Sequence, residues 1–452
     1  MLRVAVSPDE LLAALGDEAL GAAALMQRLG CSQPTLSRMV RAAGESVATL
    51  GRAQQTRYAR VRATGAEQPI VVTRIDANGA PQSCGVLHAV GQMSGSRTAW
   101  VAERRVEVFA GLPWFVADMR PQGFIGRQFP ARVPHLGLPP GAGDWSDNHV
   151  LQALCAAGAD EPGDLILGRA ALDLFLREAT PEPITLRRKA TVYAQTAAQA
   201  HDIIAQSGNR SSVGGEQAKF TAYVQTSAQT SAQTSAGAAH VLVKFSPAGT
   251  DPVAQRWRDL LRAEHHALSV LSENAADNGL HAAQTQFIDA DRLYLEVRRF
   301  DRIGARGRSG VVSLGAIDDG FVGQRQSWVQ TAQQLQRQRL LREADVQRIG
   351  LLQAFGRLIH NTDMHFGNCA LLHEGPGSSK FTLAPVYDML PMRFAPTTQG
   401  LREVAIPPVL PTADVLPMWA QALGLARAFW TRVLDDGEIS RGFVKIARAA
   451  MP

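Results

Sequence analysis

Two carboxylates and one amide near the C-terminal end of the chain have the types and the spacing that phosphoryl transfer requires. Asn368 follows Asp363 after five residues, and Asp388 lies twenty residues further on. This chemistry needs a carboxylate that orients the attacking hydroxyl and oxygen ligands that hold Mg²⁺ against the phosphates. The three residues have the Asp, Asn, Asp order of kinase catalytic and metal-binding loops.

The same loop also admits a structural interpretation. Asn361 and Asp363 can cap helices, and the second aspartate can start a turn, because short polar side chains bond nearby backbone groups. Apolar residues recur at helical spacing over 349–359, which predicts a helix that ends at this loop. His360 and His365 lack the i, i+4 spacing of a helical metal pair, so we interpret them as structural.

Upstream lies a segment suited to hold phosphates. Residues 211–219 form a Gly-containing turn that enters a strand, and small residues there let backbone N–H groups approach an anion. We predict four ATP-binding residues in it: Val213, Gly214, Gly215 and Lys219.

A lysine in an apolar strand is the next candidate. Lys244 lies within the run Val-Leu-Val-Lys-Phe, where a charge is unfavourable unless it is paired. Glu264, in the following helix, is the predicted partner, because protein kinases pair a strand lysine with a helix glutamate. The alternatives are an edge-strand lysine that discourages aggregation and a solvated helix position.

The elements around these residues predict a mixed α and β chain. Residues 65–140 alternate short apolar runs with Gly, Pro and Asn turns, which is typical of strands. The strand-like stretches 220–224 and 241–245 flank three tandem copies of Gln-Thr-Ser-Ala at 225–236, which we interpret as a disordered loop. From Asp251 onward helical periodicity predominates.

The N-terminal region has the spacing of a helix-turn-helix. Helices are predicted over 8–15, 19–29 and 33–43, and a short hairpin, as in a winged helix, follows. Residues 28–62 contain seven arginines and a single acidic residue, which suits a phosphate backbone. The alternative is a small helical domain with a solvated basic face. In a major groove the third helix would present five side chains: Gln33, Thr35, Ser37, Arg38 and Arg41.

In their order and spacing, the landmarks of the chain resemble those of HipA-family serine/threonine kinases. The likeness covers residues 65–452, and the added helix-turn-helix resembles the YjjJ branch, whose members are described as toxins. It rests on the run from Ser212 to Lys219, Lys244, the stretch Arg299-Phe300-Asp301-Arg302, the loop from Thr362 to Asn368, and Tyr387-Asp388.

The resemblance implies a role for each matching residue. Lys244 would contact the ATP phosphates, and Asp363 would be the catalytic base. Asn368 and Asp388 would bind Mg²⁺, and Phe300 would lie near the adenine hinge.

Ser212 matches the serine that these kinases phosphorylate on themselves.

Two features depart from the family pattern. Arg298 occupies the place where a glutamate often precedes the Arg-Phe-Asp-Arg stretch, with Glu296 two residues earlier, and the tandem repeat is an insertion beside the phosphate loop.

The predicted fold class is α+β: a bilobal, protein-kinase-like fold of HipA type with a β-rich N-terminal subdomain and an added winged helix-turn-helix. A chain of 452 residues exceeds what one core supports. The expected domains are the helix-turn-helix at 1–62, the β-rich subdomain at 63–140, the kinase small lobe at 141–300 and the helical large lobe at 301–452.

Composition narrows the class of protein further. Hydrophobic residues make up 46% and charged residues 19%, which is typical of a globular protein, and the net charge of +5 is modest. The four cysteines are far apart and form no CxxC pair, so we interpret them as buried thiols. No apolar stretch approaches the ~18 residues that span a bilayer, so we expect a cytoplasmic protein without membrane contact.

These features together predict an ATP- and Mg²⁺-dependent serine/threonine protein kinase that acts as a toxin. Its expected partners are an unidentified protein substrate, DNA at the N-terminal domain, and a possible antitoxin. Two alternatives remain at this stage: a transcriptional regulator with a degenerate kinase fold, and a small-molecule phosphotransferase, since the loop at Asp363 also resembles that of aminoglycoside-type kinases.

Overall fold

Two compact units make up the chain, and each has mixed α and β structure, in agreement with the α+β class. The computed structural model describes residues 7–52, 56–91, 97–102, 105–206, 217–226, 237–397 and 399–452. The first unit comprises residues up to Ile75, Pro81–Arg120 and Pro130–Ala179, and the second comprises Asp76–Ala80, Pro121–Phe129 and Thr180–Pro452. Most of the predicted phosphate loop and tandem repeat, including Ser212, Val213, Gly214 and Gly215, lies outside the described residues.

Short helices and strands alternate up to Arg177. In chain order they are α1 (Pro8–Leu15), β1 (Leu20–Gly21), α2 (Ala22–Leu29), α3 (Gln33–Ala43), β2 (Val47–Leu50), β3 (Arg57–Arg60), β4 (Ile70–Ile75), β5 (Pro81–Val90), β6 (Arg97–Ala102), β7 (Arg105–Ala110), α4 (Trp114–Ala117), α5 (Gly123–Gly126), α6 (Asp147–Ala157), β8 (Leu165–Leu167) and α7 (Arg169–Arg177).

The N-terminal helices follow their local sequence signals. Helix α3 begins directly after Ser32 and has Pro34 in its first turn. The Ser32 hydroxyl makes no capping bond to the helix and lies 3.1 Å from that of Thr35. Helix α2 begins at Ala22 rather than at the predicted Ala19, because β1 precedes it and pairs with β3.

The hairpin β2–β3 shares a hydrophobic core with the larger sheet of the first unit. That sheet has the strand order β7-β6-β5-β4-β8. The shared core contains Ala48, Leu50, Ala59, Val90 and Ala99. One compact unit therefore spans the expected domain boundary at 62/63, and it also includes residues on both sides of the boundary at 140/141.

The second unit continues with longer helices. In chain order its elements are α8 (Lys189–Gln206), β9 (Lys219–Gln225), β10 (Ala238–Phe245), α9 (Pro252–Glu273), α10 (Ala275–Asn278), β11 (Thr285–Asp289), β12 (Leu293–Arg298), β13 (Arg302–Ile303), β14 (Gly307–Arg308), β15 (Gly310–Ser313), α11 (Leu314–Phe321), α12 (Trp328–Arg337), α13 (Glu343–Leu358), β16 (Ala370–His373), β17 (Thr382–Leu383), α14 (Trp419–Asp435) and α15 (Arg441–Ala450).

A four-stranded antiparallel sheet in the order β11-β12-β10-β9 carries the predicted lysines. Lys244 pairs with Lys219 on one side and with Leu295 on the other. The expectation that helix predominates after Asp251 is wrong for β11 and β12, because pairing with β10 rather than local periodicity decides their conformation. One face of the sheet packs on α9, and α8 covers the other.

The helical part of the second unit follows this sheet. Helix α9 begins after Asp251, whose carboxylate accepts hydrogen bonds from the N–H groups of Val253 and Ala254. Phe355 of α13 meets Phe429 of α14 edge to face, with ring centroids 6.2 Å apart. No helix within the described ranges has the length and apolar character that a membrane crossing needs.

Candidate active site

Lys244 is buried in β10, and its ammonium group is paired twice. It donates hydrogen bonds of 2.6 and 2.8 Å to the two carboxylate oxygens of Glu264 in α9, and it forms an ion pair with Asp388. Burial disfavours the charged lysine, but the two carboxylates outweigh this and raise the pKa of Lys244 above its ordinary value. The ammonium therefore stays charged inside the protein.

Asp388 is held at a backbone conformation that few residues other than glycine adopt, with φ at 55°. Its side chain keeps 23% of its surface exposed while it contacts Lys244. Burial raises the pKa of Asp388, but the nearby charges of Lys244 and Lys219 outweigh this and lower the pKa to about 2. Asp388 is therefore an anion at neutral pH with one side open to solvent.

Two asparagines hold the loop that follows α13. The side-chain oxygen of Asn361 accepts a hydrogen bond of 3.0 Å from the N–H of Asp363, and its amide donates one of 3.4 Å to the carbonyl of Asp388. Asn368 donates through Nδ2 to the carbonyl of Asp363 at 2.8 Å. One buried amide thus ties together the two segments that carry the aspartates.

The side chain of Asp363 lies at the surface of this loop. The hydrogen bonds that fix the loop use its backbone N–H and carbonyl groups. Partial burial raises the pKa of Asp363, and the charge of Asp388 adds to this effect, although His365 opposes it. A carboxylate with a raised pKa and an accessible face is suited to accept a proton from a hydroxyl group.

Tyr387 connects the aspartate segment to two further parts of the site. Its hydroxyl donates a hydrogen bond of 2.6 Å to the carbonyl of Gly367 in the loop that carries Asp363. Its ring lies 5.7 Å, centroid to centroid, from that of Phe300, which follows β12 after one residue. The predicted hinge residue and the predicted metal-binding segment are therefore in contact through this pair of rings.

Of the four ATP-binding residues predicted in segment 211–219, Lys219 is the one within the described part of the chain. It lies directly opposite Lys244 on the neighbouring strand, and its charge lowers the pKa of Asp388. Like charges directly opposite each other destabilise a sheet, so two adjacent lysines need anions close by. Glu264 and Asp388 supply such anions here.

Asp388 and Asn368 are the predicted oxygen ligands of Mg²⁺, and their surroundings show whether they fit this cation. The Asn368 amide nitrogen is used on the carbonyl of Asp363, which leaves the side-chain oxygen for a further partner. Within the described residues, no group of three or more His, Cys, Asp or Glu side chains could hold a metal ion. Two oxygen donors fit Mg²⁺ that is held jointly with nucleotide phosphates and water, since this cation rarely uses an all-protein cage.

Comparison with known families agrees with the predicted resemblance. Residues 66–176 match a YjjJ-like toxin middle domain, and residues 211–429 match a HipA-like C-terminal domain. The chain is 39% identical over 345 residues to Toxin YjjJ of Escherichia coli (strain K12), an alignment that covers 75% of this chain and 74% of that protein. The chain belongs to the YjjJ-like toxins of the HipA family. The predicted family is thereby confirmed.

Two solved structures are similar to this YjjJ-like toxin at low sequence identity. HipA of Shewanella oneidensis MR-1, in complex with HipB and its operator DNA, is 14% identical with a TM-score of 0.46, over 84% of this chain and 91% of that chain. The Helicobacter pylori proinflammatory kinase CtkA is 11% identical with a TM-score of 0.35, over 51% and 88% of the two chains. The family assignment depends on the sequence matches.

In the first unit of this YjjJ-like toxin, α3 has one buried and one exposed face. Leu36 and Met39 are buried in the core of the N-terminal helices. Of the residues predicted to face DNA, Thr35 is half-buried and the other four are exposed: Gln33, Ser37, Arg38 and Arg41. The predicted side chains are thus accessible on one side of the helix.

Sequence reasoning missed the role of Asn361 in this site, because it treated the residue as a possible helix cap. The signal was present, since Asn361 stands two residues before Asp363 and asparagine commonly bonds the N–H group two residues on. Tyr387 was noted only as a neighbour of Asp388. Its contact with Phe300 depends on residues far apart in the chain.

Proposed function

We propose that the protein is an ATP- and Mg²⁺-dependent serine/threonine protein kinase of HipA type that acts as a toxin. The observation that carries the proposal is the buried ammonium of Lys244 between Glu264 and Asp388. A strand lysine held by a helix glutamate is the arrangement that orients nucleotide phosphates in protein kinases.

The residues divide the chemistry among them. Asp363 accepts the proton of the attacking hydroxyl, and Lys244 orients the phosphates of the nucleotide. Asp388 and Asn368 would hold Mg²⁺, which when bound would neutralise charge on the phosphates. Asn361 keeps the two aspartate segments in register through its bonds to both.

Transfer of label from ATP tests the proposal. Purified protein is incubated with γ-labelled ATP, Mg²⁺ and cell lysate, and the labelled molecule is identified. We expect phosphoserine or phosphothreonine on a protein, with the label reduced by orders of magnitude in Asp363→Ala. Asp435→Ala, which removes an exposed carboxylate at the end of α14, is the control and should retain activity.

Other outcomes of this experiment favour the other functions. Label on a small molecule alone identifies a small-molecule phosphotransferase. Absence of label on any molecule, in a sample that binds DNA, identifies a regulator with a degenerate kinase fold.

DNA binding by the N-terminal region is a second proposed activity. It is favoured by the exposed side of α3, on which the side chains of Arg38 and Arg41 are accessible to solvent. As a member of a toxin family, the protein is further proposed to have an antitoxin partner. The labelling experiment would identify the protein substrate.

A further inference from the structure

A buried ion pair in the second unit has no part in the site described above. Lys189, the first residue of α8, and Glu296 of β12 keep only 1% and 5% of their side-chain surface exposed, and Nζ lies 2.7 Å from Oε1. Nζ also donates to Oε2 at 2.9 Å, and the hydroxyl of Tyr193 donates to Oε1 at 2.7 Å. Both oxygens of Glu296 are therefore occupied. We call Lys189, Tyr193 and Glu296 the outer clamp.

The outer clamp lies on the face of the sheet opposite to the active site. In the register of β10 and β12, Glu296 pairs with Val243, while Lys244 pairs with Leu295. Side chains alternate between the two faces of a sheet along each strand, so Glu296 and Lys244 project from opposite faces. Helix α8 covers the outer face, where Tyr193 belongs to the core.

Stability alone is a poor explanation for such a cluster. Taking two charges out of water costs about as much as their attraction returns, and apolar residues of similar size often stabilise a protein equally well. Burial and the charge of Glu296 raise the pKa of Tyr193, so its hydroxyl stays protonated and remains a donor. The three hydrogen bonds to Glu296 fix the position of its carboxylate, which apolar packing would not do.

The side chain that is fixed belongs to the strand that leads into the hinge. Strand β12 ends at Arg298, and Phe300 then packs on Tyr387, next to Asp388. Three residues of backbone, 297–299, join Glu296 to Phe300, so the position of Glu296 constrains this contact.

We propose that the outer clamp is a positioning device for the hinge, in which Lys189 and Tyr193 fix Glu296 and thereby hold Phe300 in contact with Tyr387. Its kinetic consequence rests on the proposed kinase function.

The test replaces the clamp with apolar side chains of similar size. In the triple variant Lys189→Met, Tyr193→Phe, Glu296→Met, no buried polar group is left unpaired, so the melting temperature should equal or exceed that of the wild type. Loss of orientation should raise the KM for ATP about tenfold with a smaller change in kcat, as for other supporting partners of a site. Amide hydrogen exchange at residues 297–301 should become faster.

A control removes an ion pair with a buried carboxylate in the other unit. Asp164, in the first unit, is fully buried and pairs with Arg74, whose side chain is 26% exposed, so Arg74→Met with Asp164→Leu replaces an ion pair by apolar side chains outside the second unit. This control should leave the KM for ATP and the exchange at 297–301 unchanged. An equal rise in KM in the control overturns the proposal, because the effect would then be general to the loss of a buried ion pair.

A folded triple variant with wild-type KM and unchanged exchange overturns the proposal. If the wild type transfers no phosphoryl group, the proposed function fails, and the exchange at 297–301 alone then decides about the clamp. If the triple variant does not fold, Tyr193→Phe, which removes one hydroxyl, takes its place in the exchange experiment. Faster exchange supports the clamp, and unchanged exchange overturns it.

Discussion

Lys244 and Glu264 are joined by two hydrogen bonds, of 2.6 and 2.8 Å, although both side chains are buried. The pair links the sheet to α9 and fixes the distance between them. Because Asp388 also pairs with this ammonium, two carboxylates share one lysine, and the charge of Lys219 on the neighbouring strand acts on both carboxylates.

Removing the lysine should cost more stability than removing the glutamate charge. Lys244→Met removes the ammonium that pairs with both Glu264 and Asp388, a change expected to cost about 3–5 kcal/mol. Glu264→Gln leaves Lys244 paired with Asp388, so the loss should be smaller. The free energies of unfolding in urea measure both. Equal losses, or the reverse order, would show that Asp388 does not pair with Lys244 in solution.

Asp388→Asn should abolish the effect of Mg²⁺ on nucleotide binding. Asparagine tolerates the positive φ at this position, so the fold should be kept. The wild type should bind ATP more tightly with Mg²⁺ than without it, and the variant should bind equally in both conditions. Without Mg²⁺ the variant should bind at least as well as the wild type, since one negative charge is gone. Titration calorimetry with and without Mg²⁺ measures this, and an unchanged Mg²⁺ effect removes Asp388 from the metal site.

Acid should remove the contribution of Asp388 to stability over a defined range. Its pKa in the folded protein is about 2. The ordinary value in an unfolded chain is about 4, so the stabilisation is complete above about pH 4 and is lost as the pH falls toward 2. The difference in unfolding free energy between the wild type and Asp388→Asn should therefore stay constant from neutral pH to about pH 4 and then vanish. Urea denaturation at each pH checks this, and a difference that already shrinks near neutral pH would assign the effect to another group.

The full chain should bind duplex DNA with a steep dependence on salt. Each neutralised phosphate releases counterions, which contributes a slope of about −0.9 in a plot of log K against log salt concentration. Arg38→Ala and Arg41→Ala should each weaken binding and reduce that slope by about one. Because β2 and β3 share a core with the larger sheet, the full chain is the appropriate sample.

Arg177→Ala is the matched control for these arginines. Its side chain is 81% exposed on α7 of the same unit, and its removal should leave DNA affinity unchanged. If the chain has no affinity for DNA even at low salt, the N-terminal region has another binding partner, and the regulator alternative loses its main support.

Ser212 should become phosphorylated when the protein is incubated with ATP and Mg²⁺. A phosphate there adds a charge of about −1.5 to −2 beside the predicted phosphate loop, and repulsion from the ATP phosphates should switch the enzyme off. Mass spectrometry should find the phosphate in the wild type and not in Asp363→Ala. An unmodified Ser212 in an otherwise active enzyme would leave it the role of capping its turn.

The sequence alone determined the features that depend on near neighbours. Helix α3 has Pro34 in its first turn, and the loop from Asp363 to Asn368 is predicted from a short run of residue types. Lys244 in an apolar strand required a partner, and the next helix offered Glu264. Turns, helix caps and hydrophobic periodicity depend on residues a few positions apart, so they can be predicted from the sequence without knowledge of the tertiary structure.

The tertiary structure decided which distant groups meet. Strand β12 forms because β10 pairs with it, and Glu296 finds Lys189 at a separation of 107 residues. In the same way, Asn361 reaches the carbonyl of Asp388 only once both segments are in place. Strand conformation and buried charge depend on the partner across the contact rather than on the local run of residues, and that partner is known only when the topology is known.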